Sequence, residues 1–526
     1  MGKLKNLILC AALTLTAFVT AAAQGTLSDG SKWHWNKGTI VVETPARPAG
    51  QQCALNLAAP KLKVVRVAFV GLGARGSWAV ERWTHIPGVQ ITALCDYHKE
   101  RADYCQQFLK KAGMPEAAVY DGAAGYEELC RRTDVDLVYI AIDWVHHVPV
   151  AKCAMQNGKH AAIEVPSAMN MKDIWDLINL TETTRKHCMI LENCVYDWFE
   201  MNTLNMAQKG VFGELMHASG AYRHTLTPYW DTYWKKSADD KLGWRLEYNM
   251  LHRGDLYATH GYGPVAQLFN IHRGDRMKTL VAMDTKSVTG KALVKERSGE
   301  DVDFRNGDFT TTLIRTESGK MIDVHHDVMN PQPYNRMYQV VGTKGFANKY
   351  PNEGYALSSA EMKRVGVTPS SENFSGHEYL PDADKNALIE KYYHPILKKY
   401  GEMAKEVGGH GGMDFVMDSR LVYCLQNGLP LDMDVYDLAE WCCFAELGAL
   451  SMDNNCAPVE VPDFTRGHWN DIKGYSHAFA SPQDEQAAEK AAKEFTAGMK
   501  EGGVKFLEKY WKNEAKNAKK AAKARK

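Results

Sequence analysis

Three groups of residues in this 526-residue chain have the types and spacing to do chemistry. The first is Gly71-Leu72-Gly73-Ala74-Arg75-Gly76, a GxGxxG that follows the apolar run VVRVAFV (64–70) and opens a helical pattern. There Gly71 allows a tight turn, Gly73 lets the backbone approach a pyrophosphate, and Gly76 permits close helix–strand packing. The N–H groups at the helix start then face phosphates. Asp96 closes the next strand pattern. A carboxylate there accepts hydrogen bonds from an adenosine ribose and repels a 2′-phosphate, so NAD is expected rather than NADP. The second group is Glu164-Val165-Pro166, a carboxylate at a strand end with no lysine beside it. The third is Tyr257 and His260, after Gly254-Asp255. With Asp255 as helix N-cap, the i,i+3 pair shares one face. Histidine titrates near neutral pH. His260 is therefore expected to handle a proton with Tyr257 assisting, against the plainer reading of a core histidine packed beside a tyrosine.

The elements that must position these groups follow from hydrophobic periodicity. Apolar strands at 64–70, 89–96, 134–143 and 159–165 alternate with helical runs. This is the pattern of a parallel sheet covered on both faces, an α/β Rossmann dinucleotide-binding domain over residues 61–195. Strand C-termini face the ligand crevice in such a sheet. Trp144 and His147, just past the strand ending at Asp143, are then expected near the nicotinamide half of the cofactor. A satisfied histidine at a helix start is the alternative for His147. After residue 195 the runs 214–224, 276–285, 308–318, 320–328 and 338–350 alternate polar and apolar. They predict an α+β domain (196–480) with a large open, mainly antiparallel sheet. Residues 24–60 read as an arm, and the Lys/Ala-rich tail 481–526 as a solvated helix.

Composition narrows the function classes. Lys+Arg and Asp+Glu are both 63. A neutral chain has no global field to attract nucleic acid or an anionic membrane surface. Residues 1–23 carry Lys3 and Lys5, an apolar run and Ala21-Ala22-Ala23, the pattern of a signal peptide cleaved near Ala23. The run is short for a membrane anchor. Leu9 before Cys10 argues against a lipoprotein. The mature protein is expected to be exported, periplasmic or associated with the cell surface, without an integral span. The 12 cysteines include no CxxC, and HExxH is absent, so no metal site is expected.

With these motifs in place, residues 64–460 resemble the Gfo/Idh/MocA oxidoreductase superfamily. Its usual Glu-Lys-Pro supplies a proton-transfer lysine, and Val165 stands in that position here. The chain is more closely similar to glycoside hydrolase family 109, an α-N-acetylgalactosaminidase family. The similarity runs through GxGxRG (71–76), Trp-x-x-His (144–147), EVP (164–166), Glu-Asn-x-x-Tyr (192–196), GWR (243–245), RGDLYATHG (253–261), Pro-Tyr-x-Arg (333–336) and GHGGMDF (409–415). The resemblance implies an exo-glycosidase acting on glycans that end in N-acetylgalactosamine. The implied route is oxidation, elimination, hydration and reduction, with NAD retained. It implies cofactor contacts from Gly71, Gly73, Ala74, Arg75, Gly76, Asp96, Trp144, His147, Glu164, Val165, Asn193 and Arg245. It implies substrate contacts from Tyr222, Tyr257, His260 and Tyr334. Glu164 is expected to hold the nicotinamide riboside or orient the sugar, or else to cap a turn. The lysines near the N-terminus depart from the family's twin-arginine export signal. The open sheet leaves room for a homodimer. A sugar or cyclitol oxidoreductase and a non-catalytic NAD-binding protein are the rival readings.

Overall fold

The computed structural model describes residues 24–235 and 242–524. The signal-peptide and Cys10 expectations lie outside the described residues. The N-terminal domain is built on a six-stranded, all-parallel sheet. Its strands run in the order Ala118–Asp121, Val89–Asp96, Val65–Val70, Leu137–Ile140, His160–Ile163 and Cys188–Ile190. The chain starts in the middle, winds outward one way, then returns and winds the other. This leaves a crevice at the C-terminal ends of Val65–Val70 and Leu137–Ile140, where the direction reverses. The central strands are buried on both faces, as their continuous apolar runs require. Phe69, Trp83 and Tyr139 form the aromatic centre of this core, with ring centroids 5.1–5.8 Å apart.

The second domain carries an 11-stranded sheet. Its centre is formed by Met277–Asp284, Thr310–Thr316, Met321–Asp327, Leu215–Arg223 and Asn335–Gly342. Pairing is antiparallel except between Leu215–Arg223 and Met321–Asp327 and between Val459–Glu460 and Thr39–Val42. Burial alternates along Thr310–Thr316 and Met321–Asp327, as expected of a sheet with one covered face.

Two peripheral segments differ from expectation. The arm is not a passive lead-in. Gln24–Thr26, Lys32–Asn36 and Thr39–Val42 extend the large sheet through Val459–Glu460. The tail helix, Pro482–Ala524, turns at Gly503 (φ +54°) and docks on the first domain. Phe495, Met499 and Leu507 are buried. Thr496 Oγ1 accepts the Gly88 amide at 2.8 Å, and the Arg66 guanidinium lies 5.0 Å from the Trp511 ring. Only its far end is the solvated helix that its composition suggests. None of the described helices is long and apolar enough to cross a membrane. The eleven described cysteines are all free thiols.

Candidate active site

The glycine loop has the geometry its sequence asks for. Gly71 takes φ +89°, and a Cβ there would lie 2.4 Å from the Ala141 carbonyl oxygen. A Cβ on Gly76 would lie 1.8 Å from the Gly71 carbonyl oxygen, so helix and loop touch. Gly73 is different, because a Cβ on it would meet nothing within 4 Å. It begins the helix Ala74–Trp83, which has no side-chain cap and no acidic residue in its first turn. The positive end of the helix thus points into open space with its amides unclaimed by side chains. That cradle fits a dinucleotide pyrophosphate. Asp96 accepts the Leu72 amide at 2.6 Å and the His98 amide at 2.9 Å, and pairs with Arg101 at 3.3 Å. It braces the glycine loop from the position expected to meet a ribose.

Glu164 leaves the strand His160–Ile163 just before a cis Val165–Pro166 peptide. Its carboxylate accepts Arg75 Nε at 2.6 Å and the Tyr139 hydroxyl at 3.0 Å. Arg75 reaches on to Asp414 at 2.8 and 3.1 Å. Asp414 also accepts Asn193 Nδ2 at 2.7 Å and lies 2.9 Å from His410 Nδ1. Burial pushes the Asp414 carboxyl up, but Arg75, His410 and Arg82 pull it well below the usual range. Arg75, Glu164 and Asn193 were expected as cofactor contacts. Here they form one charged layer tied to the helix Met413–Asn427 of the second domain. A motif written for phosphate approach therefore also holds an inter-domain clasp.

His147, on the helix Trp144–Gln156, donates Nδ1–H to the Pro166 carbonyl at 2.9 Å. Burial lowers its pKa, so the ring is neutral, and its Nε2 is buried without a protein partner. It fixes the Glu164–Pro166 turn. Trp144 faces the second domain, 5.9 Å from the Tyr257 ring.

The substrate-side residues come together through two glycines. A Cβ on Gly220 would be 2.1 Å from the Gly261 carbonyl oxygen, and one on Gly261 would be 2.5 Å from the Ala221 amide nitrogen. Their absence lets the helix Thr259–Leu268 press onto the strand Leu215–Arg223. His260 then lies 5.1 Å from Tyr222 and 4.9 Å from Tyr257, and Tyr222 lies 4.7 Å from Tyr257. Tyr334 closes the group at 6.4 Å from Tyr222. Asp255 is not the helix N-cap. It accepts the Tyr257 amide at 3.0 Å in a turn ahead of the helix, whose N-cap is Ala258. Tyr257 and His260 therefore meet across a turn–helix junction rather than along one helical face.

Arg245 was expected beside the cofactor, and the structure places it among these aromatic rings. Its guanidinium lies 4.8 Å from Tyr257, 5.2 Å from Trp144 and 5.4 Å from Tyr233. It has no carboxylate partner among the described residues, and its buried Nε has no hydrogen-bond partner.

Sequence reasoning quoted Glu192 only as part of a matching run. It lies just past the strand Cys188–Ile190 and is fully buried. Its Oε1 accepts the Cys194 amide at 3.0 Å and sits 2.6 Å from His260 Nδ1. Burial pushes the Glu192 carboxyl up, but His260 and the Cys194 amide override it and hold the group below its ordinary value. With Nδ1 turned to Glu192, His260 Nε2 is left without a protein partner and is not among the sealed polar atoms. Glu192, Cys194 and His260 also bring potential metal-ligand atoms within 4.8 Å of one another, a grouping the sequence had not suggested. Burial holds the Cys194 thiol well above its usual pKa, and Sγ donates to Asn193 Oδ1 at 3.4 Å. A carboxylate–imidazole dyad is the simpler description.

Residues 196–471 match the glycosyl hydrolase 109 C-terminal domain. The chain belongs to glycosyl hydrolase family 109. Residues 65–192 match the NAD-binding Rossmann fold of an oxidoreductase family, so the first domain of this family member is an NAD-binding domain. Glycosyl hydrolase family 109 protein 5 of Phocaeicola vulgatus is 67% identical over 515 residues, covering 97% of this chain and 98% of that protein. A Bacteroides thetaiotaomicron relative, glycosyl hydrolase family 109 protein 1, is 60% identical over 443 residues, covering 84% and 93%. Among solved structures, an NAD binding oxidoreductase from Klebsiella pneumoniae superposes with a TM-score of 0.53 at 16% identity, covering 76% of this chain and all of that one. Levoglucosan dehydrogenase in complex with NADH gives 0.52 at 16%, covering 76% and 99%. These last two show the shared fold.

Proposed function

We propose that this glycosyl hydrolase is an exo-glycosidase removing terminal α-linked N-acetylgalactosamine, with an NAD that stays bound and is not consumed overall. The observation that carries the reading is the Glu192–His260 dyad beside Tyr222, Tyr257 and Tyr334, with Tyr257 packed against Trp144 of the NAD-binding domain. Gly71, Gly73 and the first turn of Ala74–Trp83 would seat the pyrophosphate, with Asp96, Trp144, His147 and the Glu164-Val165 turn along the rest of the cofactor. When bound, NAD supplies a reversible hydride acceptor, which makes a proton on the carbon next to the oxidised one labile. His260 Nε2 removes that proton and returns it later, with Glu192 holding the opposite nitrogen. Burial pushes the Tyr222 hydroxyl up to about 12 and those of Tyr257 and Tyr334 higher, so all three remain hydrogen-bond donors at neutral pH. They and the Arg245 guanidinium orient the sugar.

The fold alone is equally compatible with net sugar oxidation. Val165, in place of a proton-transfer lysine, favours hydrolysis. A chromogenic α-N-acetylgalactosaminide discriminates the two: aglycone release without added NAD and without net NADH is expected. Steady NADH accumulation would establish the oxidoreductase instead. His260→Ala is expected to abolish release while retaining bound NAD. We also propose export through residues 1–23, tested by N-terminal sequencing of the mature protein, and self-association through the open sheet, tested by light scattering.

A further inference from the structure

A groove of about 680 Å³ runs between the outer side of the helix Ala74–Trp83 and residues 406–414. That is within the roughly 300–1,000 Å³ of small-molecule sites. Its lining has an unusual composition. Trp78 is 56% exposed, whereas the neighbouring Trp83 on the same helix is fully buried. Glu81 and Glu406 line the groove with it. Arg82 also lines it and is only 4% exposed. Asp418 at 3.0 Å and Asp414 at 3.6 Å balance the Arg82 charge, yet its Nη1 and Nη2 make no hydrogen bond. Both atoms are sealed from solvent and Nε donates to Asp418 at 3.1 Å, so Arg82 is a buried ion-pair partner behind the groove wall.

These features select a ligand class. A flat indole face accepts the C–H face of a ring that carries polar groups at its rim. Glu81 and Glu406 accept hydroxyl protons from such a ring. An anionic ligand would meet Glu81, Glu406 and Asp414 together, with Arg82 already neutralised. A purely apolar ligand would leave the carboxylates without water. A neutral pyranose suits both the indole face and the carboxylates.

The groove is also next to the cleft. Asp414 lines the groove and, on its other side, holds Arg75 and Asn193. His410, half exposed at the groove, lies 3.2 Å from Arg75. One layer of side chains separates the two spaces.

We propose that this groove binds the neutral sugar units on the reducing-end side of an oligosaccharide substrate, with Trp78 as the stacking platform. This rests on the glycosidase reading above and adds what the enzyme prefers to act on. The test is Trp78→Ala, at an exposed helix position outside the catalytic group. Two substrates are compared: an aryl α-N-acetylgalactosaminide, and a trisaccharide ending in the same sugar on a neutral disaccharide. The expected result is about a tenfold fall in kcat/KM for the trisaccharide, about 1.4 kcal/mol, with the aryl glycoside unchanged. Equal falls for both substrates, or no fall for either, overturn the proposal. A second measurement needs no turnover. Calorimetry with the neutral disaccharide alone, on the full-length protein and its Trp78→Ala variant, should show binding that the variant weakens about tenfold. Trp78-dependent binding in a protein that hydrolyses nothing would uphold the groove and sink the glycosidase reading. Hydrolysis without such binding would do the reverse.

Discussion

Replacing Glu192 with glutamine removes one charge and keeps the side chain's shape. Oε1 of Glu192 accepts two N–H groups, from the Cys194 amide at 3.0 Å and from His260 Nδ1 at 2.6 Å. Both call for an acceptor, so a glutamine will turn its oxygen, not its NH2, toward them. The imidazole keeps its tautomer and loses the charge-assisted part of the hydrogen bond, while the new NH2 takes the place of the buried, unpartnered Oε2. Hydrogen bonds to charged groups contribute about 1.5–3 kcal/mol against about 1 for neutral ones. The difference, roughly 0.5–2 kcal/mol, corresponds to about a 2–30-fold fall in any step where His260 carries the proton. Glu192→Ala also removes the orientation, and the fall should reach at least about 100-fold, within the range of general acid–base contributions. The assay is kcat on the aryl glycoside, with NAD content measured after denaturation and the melting temperature recorded for each variant. The reasoning requires the order parent, Gln, Ala, with NAD content unchanged. A glutamine variant within twofold of the parent, or an alanine variant no worse than the glutamine one, would remove Glu192 from the proton-transfer machinery.

Asp255 gives a stability prediction with a defined pH window. It is buried, its Oδ2 lacks a partner, and burial pushes its carboxyl up to about 7 against the pull of the Tyr257 amide. The folded state therefore binds this proton more tightly than the unfolded chain. The resulting stability is fully present below about pH 4 and is lost as pH rises through about 7. Asp255→Asn has no proton to lose, so its melting temperature relative to the parent should rise between pH 4 and pH 8, by the equivalent of a few kcal/mol. An offset equal at both pH values would contradict the assignment. Gly73→Val should fold normally but lose bound NAD, because its side chain enters the space in front of the helix. Gly76→Ala should fail to fold stably, because its Cβ would meet the Gly71 carbonyl. Circular dichroism and released-NAD measurements separate the two. Removing residues 482–526 should lower the melting temperature by exposing the docking site of Phe495, Met499 and Leu507, whereas removing only 512–526 should leave it unchanged.

What could be read from the sequence is what is local. A buried strand, a glycine turn and a helix start are contiguous, and their geometry follows from the backbone needs of three glycines. Tyr257 and His260 could be paired from their spacing, but Tyr222 and Tyr334 could be named only through a resemblance, because the contact that assembles the four lies between Gly220 and Gly261. Nothing in the spacing of those two glycines announces it. The same holds for Glu192, which meets His260 across 68 residues, and for Asp414, which meets Arg75 across 339. The arm strands pair with Val459–Glu460, a separation that no periodicity can carry. The tail is a different case. Phe495, Met499, Phe506 and Tyr510 fall at helical spacing, so a docking stripe was present in the sequence but was outweighed by the Lys/Ala composition around it.

The division of labour between the domains explains why Val165 is tolerated where a lysine is usual. A lysine beside Glu164 would add an ammonium to a layer in which Arg75 already bridges Glu164 and Asp414. In the proposed mechanism the proton-transfer group comes instead from the second domain, as His260, and its orienting carboxylate from the first, as Glu192. A site assembled this way is complete only when the two domains are in contact, and the Arg75 clasp is one of the contacts that bring them together. Arg75→Met should therefore impair turnover at a distance from the dyad, by loosening the alignment of Glu192 with His260. Arg75→Lys, which keeps one charge but cannot span both carboxylates, should recover only part of it.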